Sequence, residues 1–406
     1  MNGMSRRVVI TGCGVVSALG MSRSSLFENL LAGKSAVRMM DEWQIPVPAA
    51  PITDFVLPEK LKCRQISRTM SKSAQYCAAA ALEAQKDAGW DFFPENRTAC
   101  IAGSTFGSPL VLEDTFKTLL ASGSISDVSP MNFFKTVSHT AAYNTANVLG
   151  IDGMVYAPAA ACASGLQSVG LAATLIACGE CDVAIAGGSE ELSHMVSESF
   201  ILMDAQARQG DGAAADDFPR PFDRQRNGLV CSEGAAMLVL EEYESARKRN
   251  APIIAEISAY AVNRGKNTVT QSESSAVESC LKTLLSKLNK TSIGSGFINA
   301  HATGTLQGDQ AEAEALRKLF GESLPVSSCK GHLGHTLGAA GALELAAALE
   351  MLRRGILINT RNLSDVAAEC SGLDHLLEVR EKKCDFVLKN SFAFGGINAA
   401  MLCCRV

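Results

Sequence analysis

Three short motifs bring a thiol and two imidazoles into surroundings of small residues. Cys162 follows the apolar segment 154–157 and precedes a helical pattern of small and apolar residues at 166–178, while His301 and His335 lie in two glycine-rich segments. A thiol in a strand-to-helix turn lies at the positive end of the helix dipole, where free backbone N–H groups stabilise a thiolate. A single buried cysteine is usually a packing residue. Together with two loop histidines, it predicts a nucleophile served by groups that handle protons and anions.

Other functions for these motifs are less consistent with the residues present. His332 and His335 have the appearance of a zinc pair, but no third ligand lies at suitable spacing. The glycines of 338–341 resemble a phosphate loop, but no Lys-Ser/Thr follows them, so close packing explains them better. Cys178 and Cys181 form a CxxC at the end of a predicted helix, whereas redox chemistry favours its start. We therefore predict no metal site.

Composition predicts a large buried core in an enzyme of two halves. The chain has 406 residues, of which 47% are hydrophobic and 19% charged, and its formal net charge is −5. This length predicts two units, which we place at 1–250 and 251–406. The negative charge, without a long basic run, argues against nucleic acid as a partner. Fourteen cysteines without framework spacing predict reduced thiols and a cytoplasmic protein. No apolar run approaches the roughly 20 residues of a membrane span.

Short apolar runs alternate with longer helical patterns, which is typical of a layered α/β fold. In the first half we predict strands near 7–11, 98–103, 154–157, 182–187 and 235–241. Helices are predicted near residue 24 and over 71–88, 138–148, 164–178 and 243–248. The second half repeats this order, with strands near 253–259, 297–300, 326–328, 386–390 and 399–403. Its helices are predicted over 276–288, 310–320 and 337–353. The repeated order predicts a duplicated unit whose sheets pack on a shared helical layer.

Two polar segments are predicted as surface loops. The segment 210–217 is rich in small and acidic residues, and 264–275 is polar. We expect the second to lie at a substrate entrance.

Several long motifs, in order along nearly the whole chain, resemble one enzyme family. They include the segments 8–12, 159–165, 186–188, 220–223, 234–236, 299–309, 330–341 and 390–398. This pattern resembles the elongating β-ketoacyl-acyl carrier protein synthases of the Cys-His-His kind, in the thiolase superfamily. The resemblance implies a thiolase-like fold in which two duplicated α/β halves form a five-layered αβαβα core. The half 1–250 would carry the nucleophilic cysteine and the half 251–406 both histidines.

The resemblance also assigns the central catalytic groups. Cys162 falls on the family's nucleophile, and His301 and His335 fall on its two active-site histidines. Lys330 matches the supporting lysine and Glu344 its carboxylate partner. This ion pair would orient the His335 side of the site.

Four more positions match residues that bind substrate or shape the pocket. Thr303 and Thr305 match the pair that hydrogen-bonds the pantetheine arm. Phe394 matches the gating phenylalanine whose backbone N–H shares the oxyanion hole with that of Cys162. Phe106 falls where the family lines the far end of the acyl pocket at a dimer interface, and its ring would shorten or flatten that pocket.

The implied reaction is a decarboxylative Claisen condensation. An acyl group on the cysteine would react with malonyl-acyl carrier protein to give 3-oxoacyl-acyl carrier protein. Malonyl activates itself by losing carbon dioxide, so neither a metal nor an organic cofactor is required. The implied partners are acyl- and malonyl-loaded acyl carrier protein, and either a second copy of the chain or a related ketosynthase-like subunit.

Departures from the family pattern indicate a specialised pathway of the polyene or polyketide type. Ala302, Gly304 and Ile397 stand where glycine, serine and threonine are usual, and 121–130 lacks an Arg-Lys pair offered to the carrier protein.

Two other functions remain as alternatives. A non-catalytic chain-length-factor-like subunit would have lost the thiol, but Cys162 is present. A thiolase would carry a second cysteine before Gly395-Gly396, where this chain has Phe394.

Overall fold

Strands and helices alternate along the chain in the computed structural model, which describes residues 6–208, 213–266, 272–288 and 294–406. The strands of these ranges are β1 Val8–Ser17, β2 Arg38–Met39, β3 Pro48–Ala50, β4 Thr98–Gly103, β5 Met154–Tyr156, β6 Val183–Glu190, β7 Cys231–Ser232, β8 Gly234–Glu242, β9 Ala255–Arg264, β10 Gly296–Asn299, β11 Pro325–Ser327, β12 Ile356–Leu357, β13 Asp374–His375, β14 Arg380–Glu381, β15 Phe386–Phe392 and β16 Ile397–Cys404. The helices are α1 Arg23–Leu31, α2 Arg64–Ser67, α3 Lys72–Asp87, α4 Pro109–Ser122, α5 Met131–Thr136, α6 Thr140–Leu149, α7 Ser164–Ala177, α8 His194–Leu202, α9 Tyr243–Lys248, α10 Ser274–Ser286, α11 Leu306–Phe320, α12 Lys330–Leu333 and α13 Ala340–Arg354.

The two halves of the chain build sheets of the same topology. The first five main strands lie in the order β5-β4-β6-β8-β1, and their counterparts lie in the order β11-β10-β15-β16-β9. In each half the first two of these neighbouring pairs are parallel and the last two antiparallel. The predicted duplication is therefore confirmed at the level of strand order and direction.

The two sheets also meet edge to edge. Val9 pairs with Glu256 and Ile10 with Ala255, which joins β1 to β9. With β13 added at the far edge, eleven strands of the described ranges form one hydrogen-bonded sheet. The two duplicated halves are therefore joined by backbone pairing between β1 and β9 as well as by the packing of their helices.

Helices cover both faces of this sheet in the predicted five layers. α3 and α6 pack on the outer face of the first half, α10 and α11 on that of the second, and α7 and α13 lie between the halves. The middle helices approach closely because their contact is made by glycine. A Cβ on Gly341 would come within 2.7 Å of the Leu166 backbone nitrogen, and one on Gly165 within 2.8 Å of the Gly338 oxygen. Small residues at these positions allow α7, which follows Cys162, to pack against α13.

Most predicted elements are confirmed within a few residues, but the first strand is longer than expected. The predicted strand ended at residue 11, before Gly12 and Gly14. In the structure β1 continues to Ser17 and pairs with β8 along this length. These glycines are needed because α3 crosses them. A Cβ added at Gly12 would lie 2.3 Å from the Ala84 carbonyl oxygen. One added at Gly14 would lie 1.9 Å from the Ala80 carbonyl oxygen.

Five of the α-helices described were not predicted: α2, α4, α5, α8 and α12. α4 carries exposed apolar side chains at Leu112, Phe116 and Leu120, so its pattern does not separate a buried face from a polar one. Of the predicted surface loops, residues 210–212 of the first and 267–271 of the second lie outside the described residues.

Strand ends of both halves converge on one region. Cys162 lies between β5 and α7, His301 follows β10, and Lys330 and His335 follow β11. Phe394 lies in the turn between β15 and β16. No helix of the described ranges is long and apolar enough to cross a membrane.

Candidate active site

The three sequence motifs meet around one small pocket. Cys162, His301 and His335 all line it, although they come from opposite halves of the fold. The remaining walls are mainly aromatic, apolar and hydroxyl groups, contributed by Phe200, Leu229, Ser272, Thr303, Thr305, Gly308, Phe392, Ala393 and Phe394. The larger cavity at the joint of the two sheets is lined by other residues, among them Arg7 and Tyr260. The small pocket is therefore the one of these two cavities in which a thiol and two imidazoles lie together.

A strained turn presents the thiol at the start of α7. Ala161 has a φ of 46°, which is unfavourable for a residue with a side chain. Ser164 holds this turn: its hydroxyl accepts from the Ala160 N–H at 2.8 Å and donates to the Ala161 carbonyl at 2.7 Å. The Ser391 hydroxyl donates to the Cys162 carbonyl at 3.0 Å, which ties the turn to the second half.

Burial determines the resting state of the thiol. Cys162 is only 8% exposed, and burial raises its pKa to about 12, with Lys330 acting in the opposite direction. The helix start favours a thiolate, but burial opposes it and favours the protonated thiol. A nucleophile in this state would have to transfer its proton as it attacks.

Carboxylates of α11 shape the loop that carries His301. Glu312 accepts from the backbone N–H groups of His301 at 2.9 Å and Ala302 at 2.7 Å. Asp309 accepts from those of Thr303 and Gly304 at 2.9 and 3.1 Å. The loop lacks regular structure, so these bonds replace the ones a strand or helix would supply. Neither carboxylate had a predicted role, and Asp309 preceded the helix predicted over 310–320. In the structure both lie on α11, where a spacing of three residues places them on one face.

His335 is buried with its ring free for a ligand. Its backbone is held at both ends, because its N–H donates to Val230 at 2.7 Å and its carbonyl accepts from Ser232 at 3.0 Å. Neither ring nitrogen has a hydrogen-bond partner among the described residues. His332 differs, since its ring nitrogens lie 3.0 Å from the Lys34 carbonyl and 3.3 Å from that of Asn359. A buried imidazole without partners is costly unless the substrate supplies them.

The two active-site rings face each other as neutral groups. The ring centroids of His301 and His335 lie 5.3 Å apart at an angle of 80°. Burial holds the pKa of each imidazole well below its ordinary value, and the nearby ammonium of Lys330 lowers both pKa values further. Both rings are therefore neutral at physiological pH.

Glu344 is shared by two buried lysines. Its Oε1 lies 2.6 Å from the Lys330 Nζ and its Oε2 2.5 Å from the Lys389 Nζ. The predicted Lys330–Glu344 pair is present, but the orientation is corrected, because Lys330 contacts His301 rather than His335. Its Nζ lies 2.5 Å from the His301 carbonyl oxygen and 3.5 Å from Nδ1. Sequence reasoning missed Lys389, which lies inside a strand where an apolar residue is usual.

The predicted pantetheine-binding threonines lie together at the mouth of the pocket. The hydroxyls of Thr303 and Thr305 are 3.1 Å apart. Thr305 and Phe394 line both the inner pocket and an outer cavity that also includes Asp204 and Asn227. Phe394 packs against Phe200 with ring centroids 6.0 Å apart. This pair of rings lies where the outer cavity joins the reactive pocket.

Lys330 and Glu344 lie next to His301 without lining the pocket, whereas Phe106 lies apart from this whole group. Its side chain is 49% exposed and does not line the pocket of Cys162. Behind it, the buried Glu190 accepts from the Thr105 N–H at 2.8 Å and the Gly338 N–H at 3.0 Å. This carboxylate, also missed from sequence, joins the turn after β4 to the start of α13. The role of Phe106 at a dimer interface stays a prediction.

No group of three or more His, Cys, Asp or Glu side chains in the described part of the chain is arranged to hold a metal ion.

Two family profiles match most of the chain. The one described as "Beta-ketoacyl synthase, N-terminal domain" matches residues 5–246, and the one described as "Beta-ketoacyl synthase, C-terminal domain" matches residues 254–364. Among curated proteins, the 3-oxoacyl-[acyl-carrier-protein] synthase 2 of Coxiella burnetii is 35% identical over 414 residues, which cover 99% of each protein.

Solved structures show the same architecture over the full length. A β-ketoacyl synthase from Burkholderia phymatum superimposes with a TM-score of 0.92 at 37% identity, covering 99% of this chain and 100% of that one. A type II polyketide ketosynthase, solved with its acyl-carrier protein and bound to the hexaketide, gives 0.89 at 26% identity with coverage of 99% and 100%.

Proposed function

The chain belongs to the β-ketoacyl synthase family, and from this premise we propose that Cys162 carries the acyl group while His301 and His335 serve malonyl decarboxylation. The enzyme, which has a thiolase-like fold, catalyses decarboxylative condensation of an acyl group with malonyl-acyl carrier protein, in fatty acid or polyketide biosynthesis. The observation that carries the residue assignment is that one pocket is lined by the thiol and both imidazoles. In this proposal, the half 1–250 supplies the nucleophile and the half 251–406 both histidines.

Acyl transfer begins with a protonated Cys162. Its sulfur bonds to the acyl carbon, the bond from that carbon to the pantetheine sulfur breaks, and the thiol proton passes through a neutral imidazole to the leaving thiolate. The tetrahedral intermediate places negative charge on the former carbonyl oxygen. Backbone N–H groups of Cys162 and Phe394 are proposed as its donors, since such groups are fixed before the reaction and need no rearrangement.

Condensation requires donors for an enolate. The carbon–carbon bond to the malonyl carboxylate breaks, carbon dioxide leaves, and the electron pair forms an enolate that attacks the acyl carbon on Cys162. The Cys162 sulfur then leaves as a thiolate and takes up a proton that solvent water supplies. Neutral His301 and His335 donate hydrogen bonds to the thioester oxygen as it gains charge, because an imidazole with an N–H does this without first releasing a proton.

Lys330 determines which nitrogen of His301 carries the proton. An ammonium group only donates hydrogen bonds, so His301 Nδ1, 3.5 Å from it, acts as acceptor. The proton of the neutral ring then lies on Nε2, which becomes the donor to substrate. The Lys330 ammonium also donates to the His301 carbonyl oxygen, which fixes the backbone of the same histidine.

Cys162→Gln should separate the two half-reactions and thereby test the proposal. The amide cannot take an acyl group, so condensation is lost. It fills the position of an acylated cysteine and leaves His301 and His335 in place, so decarboxylation of malonyl-acyl carrier protein continues. The measurement is carbon dioxide release against 3-oxoacyl product. Loss of both activities in a folded Cys162→Gln protein would contradict the assigned roles.

Acyl carrier protein is the proposed macromolecular substrate, and the outer cavity its point of delivery. The Coxiella relative is named for this carrier and the polyketide ketosynthase was solved with one. Arg208 lies beside this cavity, because its guanidinium contacts Asp204 at 3.0 Å and its carbonyl accepts from Asn227 at 2.8 Å. A cation here suits an acidic carrier. A cytoplasmic location is also proposed, since all fourteen thiols are unpaired.

A second copy, or a related ketosynthase-like subunit, is proposed to cover the face around β5. This strand is the outermost of the sheet, and its residues Val155 and Tyr156 are 43% and 42% exposed. Phe106, Phe133 and Phe134 are also exposed. An uncovered strand edge with apolar side chains favours association with another chain.

Phe106→Gly should lengthen the accepted acyl chain if this residue closes the distal pocket across that face. The unmodified enzyme is expected to load short or flat unsaturated chains better than long saturated ones. Each methylene accommodated is worth about 0.8 kcal/mol, so preference should shift roughly fourfold per methylene until the pocket fills. Competition between short and long acyl-carrier substrates measures this, with Phe92→Gly, an exposed loop ring, as control. A preference of the unmodified enzyme for long saturated chains would contradict a specialised pathway.

A further inference from the structure

Lys389 is a fully buried cation inside the sheet, next to the strand that leads into His301. It lies on β15, opposite Asn299 in the parallel register with β10. Its ammonium lies 2.5 Å from Glu344 Oε2 and 3.4 Å from the Ala300 carbonyl, one residue before His301. Burying an amine of this kind is costly without specific partners, so its presence calls for an explanation.

The cluster of Lys330, Glu344 and Lys389 has an excess of positive charge. A single ammonium would be enough to neutralise Glu344, and Lys330 already occupies one of its oxygens. With Lys389 on the other, two cations share one anion and the cluster carries a formal charge of +1. The excess charge lies beside two imidazoles that have to stay uncharged to donate.

We propose that Lys389 is a positioning residue for condensation, whose positive charge keeps His301 and His335 neutral and whose bond to the Ala300 carbonyl holds the His301 loop. This inference rests on the proposed roles of the two histidines. Lys389 contacts no group that lines the pocket, so it acts through its neighbours and not on substrate. The burial of Lys389 beneath the pocket allows its charge to act through a medium of low polarity.

The electrostatics of both rings agree with this role. Burial lowers the pKa of His301 and of His335, and the charges of Lys330 and Lys389 lower both further. The other titratable groups around the rings are Glu344 from α13, Glu312 from α11 and the thiol of Cys162. Glu312 accepts hydrogen bonds from backbone N–H groups and from the Asn390 amide, which disperses its charge.

The direction of the pH effect follows from these charges. Removing the positive charge of Lys389 should raise the pKa of both imidazoles, so they protonate at higher pH and cease to act as neutral donors. The acid limb of malonyl decarboxylation should therefore move to higher pH by about one unit, the effect of one charge at an effective dielectric constant of roughly 20.

The experiment compares Lys389→Met with the unmodified enzyme, measuring carbon dioxide release from malonyl-acyl carrier protein over a pH range that extends low enough to define the acid limb of the unmodified enzyme. We expect the shifted acid limb together with a kcat lower by about tenfold and a KM changed by less than about twofold. Lys287→Met is the matched control, since that lysine also donates to a backbone carbonyl but lies at the remote cavity. It should leave the profile unchanged. Lys389→Gln replaces the methionine variant if the latter fails to fold.

A second variant separates charge from packing. Lys389→Met combined with Glu344→Gln restores a cluster charge of +1, carried by Lys330 alone. If charge is the cause, the acid limb returns toward that of the unmodified enzyme. If Lys389 only fills space, the double variant stays shifted or worsens, and the inference is overturned. An unmoved profile in Lys389→Met or Lys389→Gln would overturn it equally.

The acyl adduct keeps this inference distinct from the proposed function. Lys389→Met should still accept one acyl group on Cys162, because the thiol and its helix are unchanged. An adduct on another cysteine in the unmodified enzyme would reject the catalytic assignment. An adduct on Cys162 with an unmoved pH profile would reject only the role of Lys389.

Discussion

Cys162→Ala should reduce condensation by a factor on the order of 10⁶, the loss expected when a nucleophile is removed. The methyl side chain of alanine has no nucleophilic atom to which the acyl chain could be attached. The neighbouring backbone should survive, since Ser164 and Ser391 hold the turn through main-chain atoms. Formation of 3-oxoacyl-acyl carrier protein from purified acyl and malonyl substrates is the measurement.

A matched cysteine variant controls for the loss of a buried thiol. Cys280 is fully buried in the core between the second-half sheet and its outer helices, and it does not line the pocket. Cys280→Ala should retain condensation within a few fold. Substantial condensation by Cys162→Ala would mean that another thiol carries the acyl group.

His301→Ala and His335→Ala should each reduce malonyl decarboxylation by roughly 10²–10³, the usual effect of removing one donor to a developing oxyanion. Acyl transfer should fall less. The remaining imidazole or water can take the thiol proton, whereas the enolate oxygen loses a fixed donor that nothing replaces. Single-turnover rates of acyl transfer and of carbon dioxide release measure the two steps separately.

His332→Asn is the control for these histidine variants. The His332 ring is buried in the same motif but lies between two backbone carbonyls outside the pocket, so its replacement should affect stability more than decarboxylation. Equal losses of acyl transfer and decarboxylation in His301→Ala and His335→Ala would contradict the account. Such a result would mean that these histidines mainly maintain the shape of the pocket.

Sequence patterns were sufficient for the main architecture and for the reactive motifs. Small-residue helices and short apolar strands recur in the same order, and the sheets confirm that repeat in strand order and direction. Cys162, His301 and His335 stood out because reactive groups in loops of small residues are unusual. Cys162 and His335 follow the corresponding strands β5 and β11, and His301 follows β10, the neighbour of β11 in the sheet.

Apart from the Lys330–Glu344 pair that the resemblance implied, contacts between distant segments were not visible in the sequence. Lys389 and Glu344 are 45 residues apart, and their contact depends on how β15 packs against α13. Glu190 similarly joins segments that local patterns treat separately. The local helix start predicted a stabilised thiolate at Cys162, whereas burial, which depends on the whole pocket, raises the pKa of this thiol. The role predicted for Phe106 depends on contact with a second chain, because its side chain is exposed in the single chain.

The most direct test of the central claim is the intact mass of the enzyme after incubation with acyl-loaded carrier protein, followed by identification of the modified peptide. The account predicts a gain of one acyl mass per chain, located on Cys162, and no gain in Cys162→Ala. An adduct that persists in Cys162→Ala, or that maps to another of the fourteen cysteines, would contradict it.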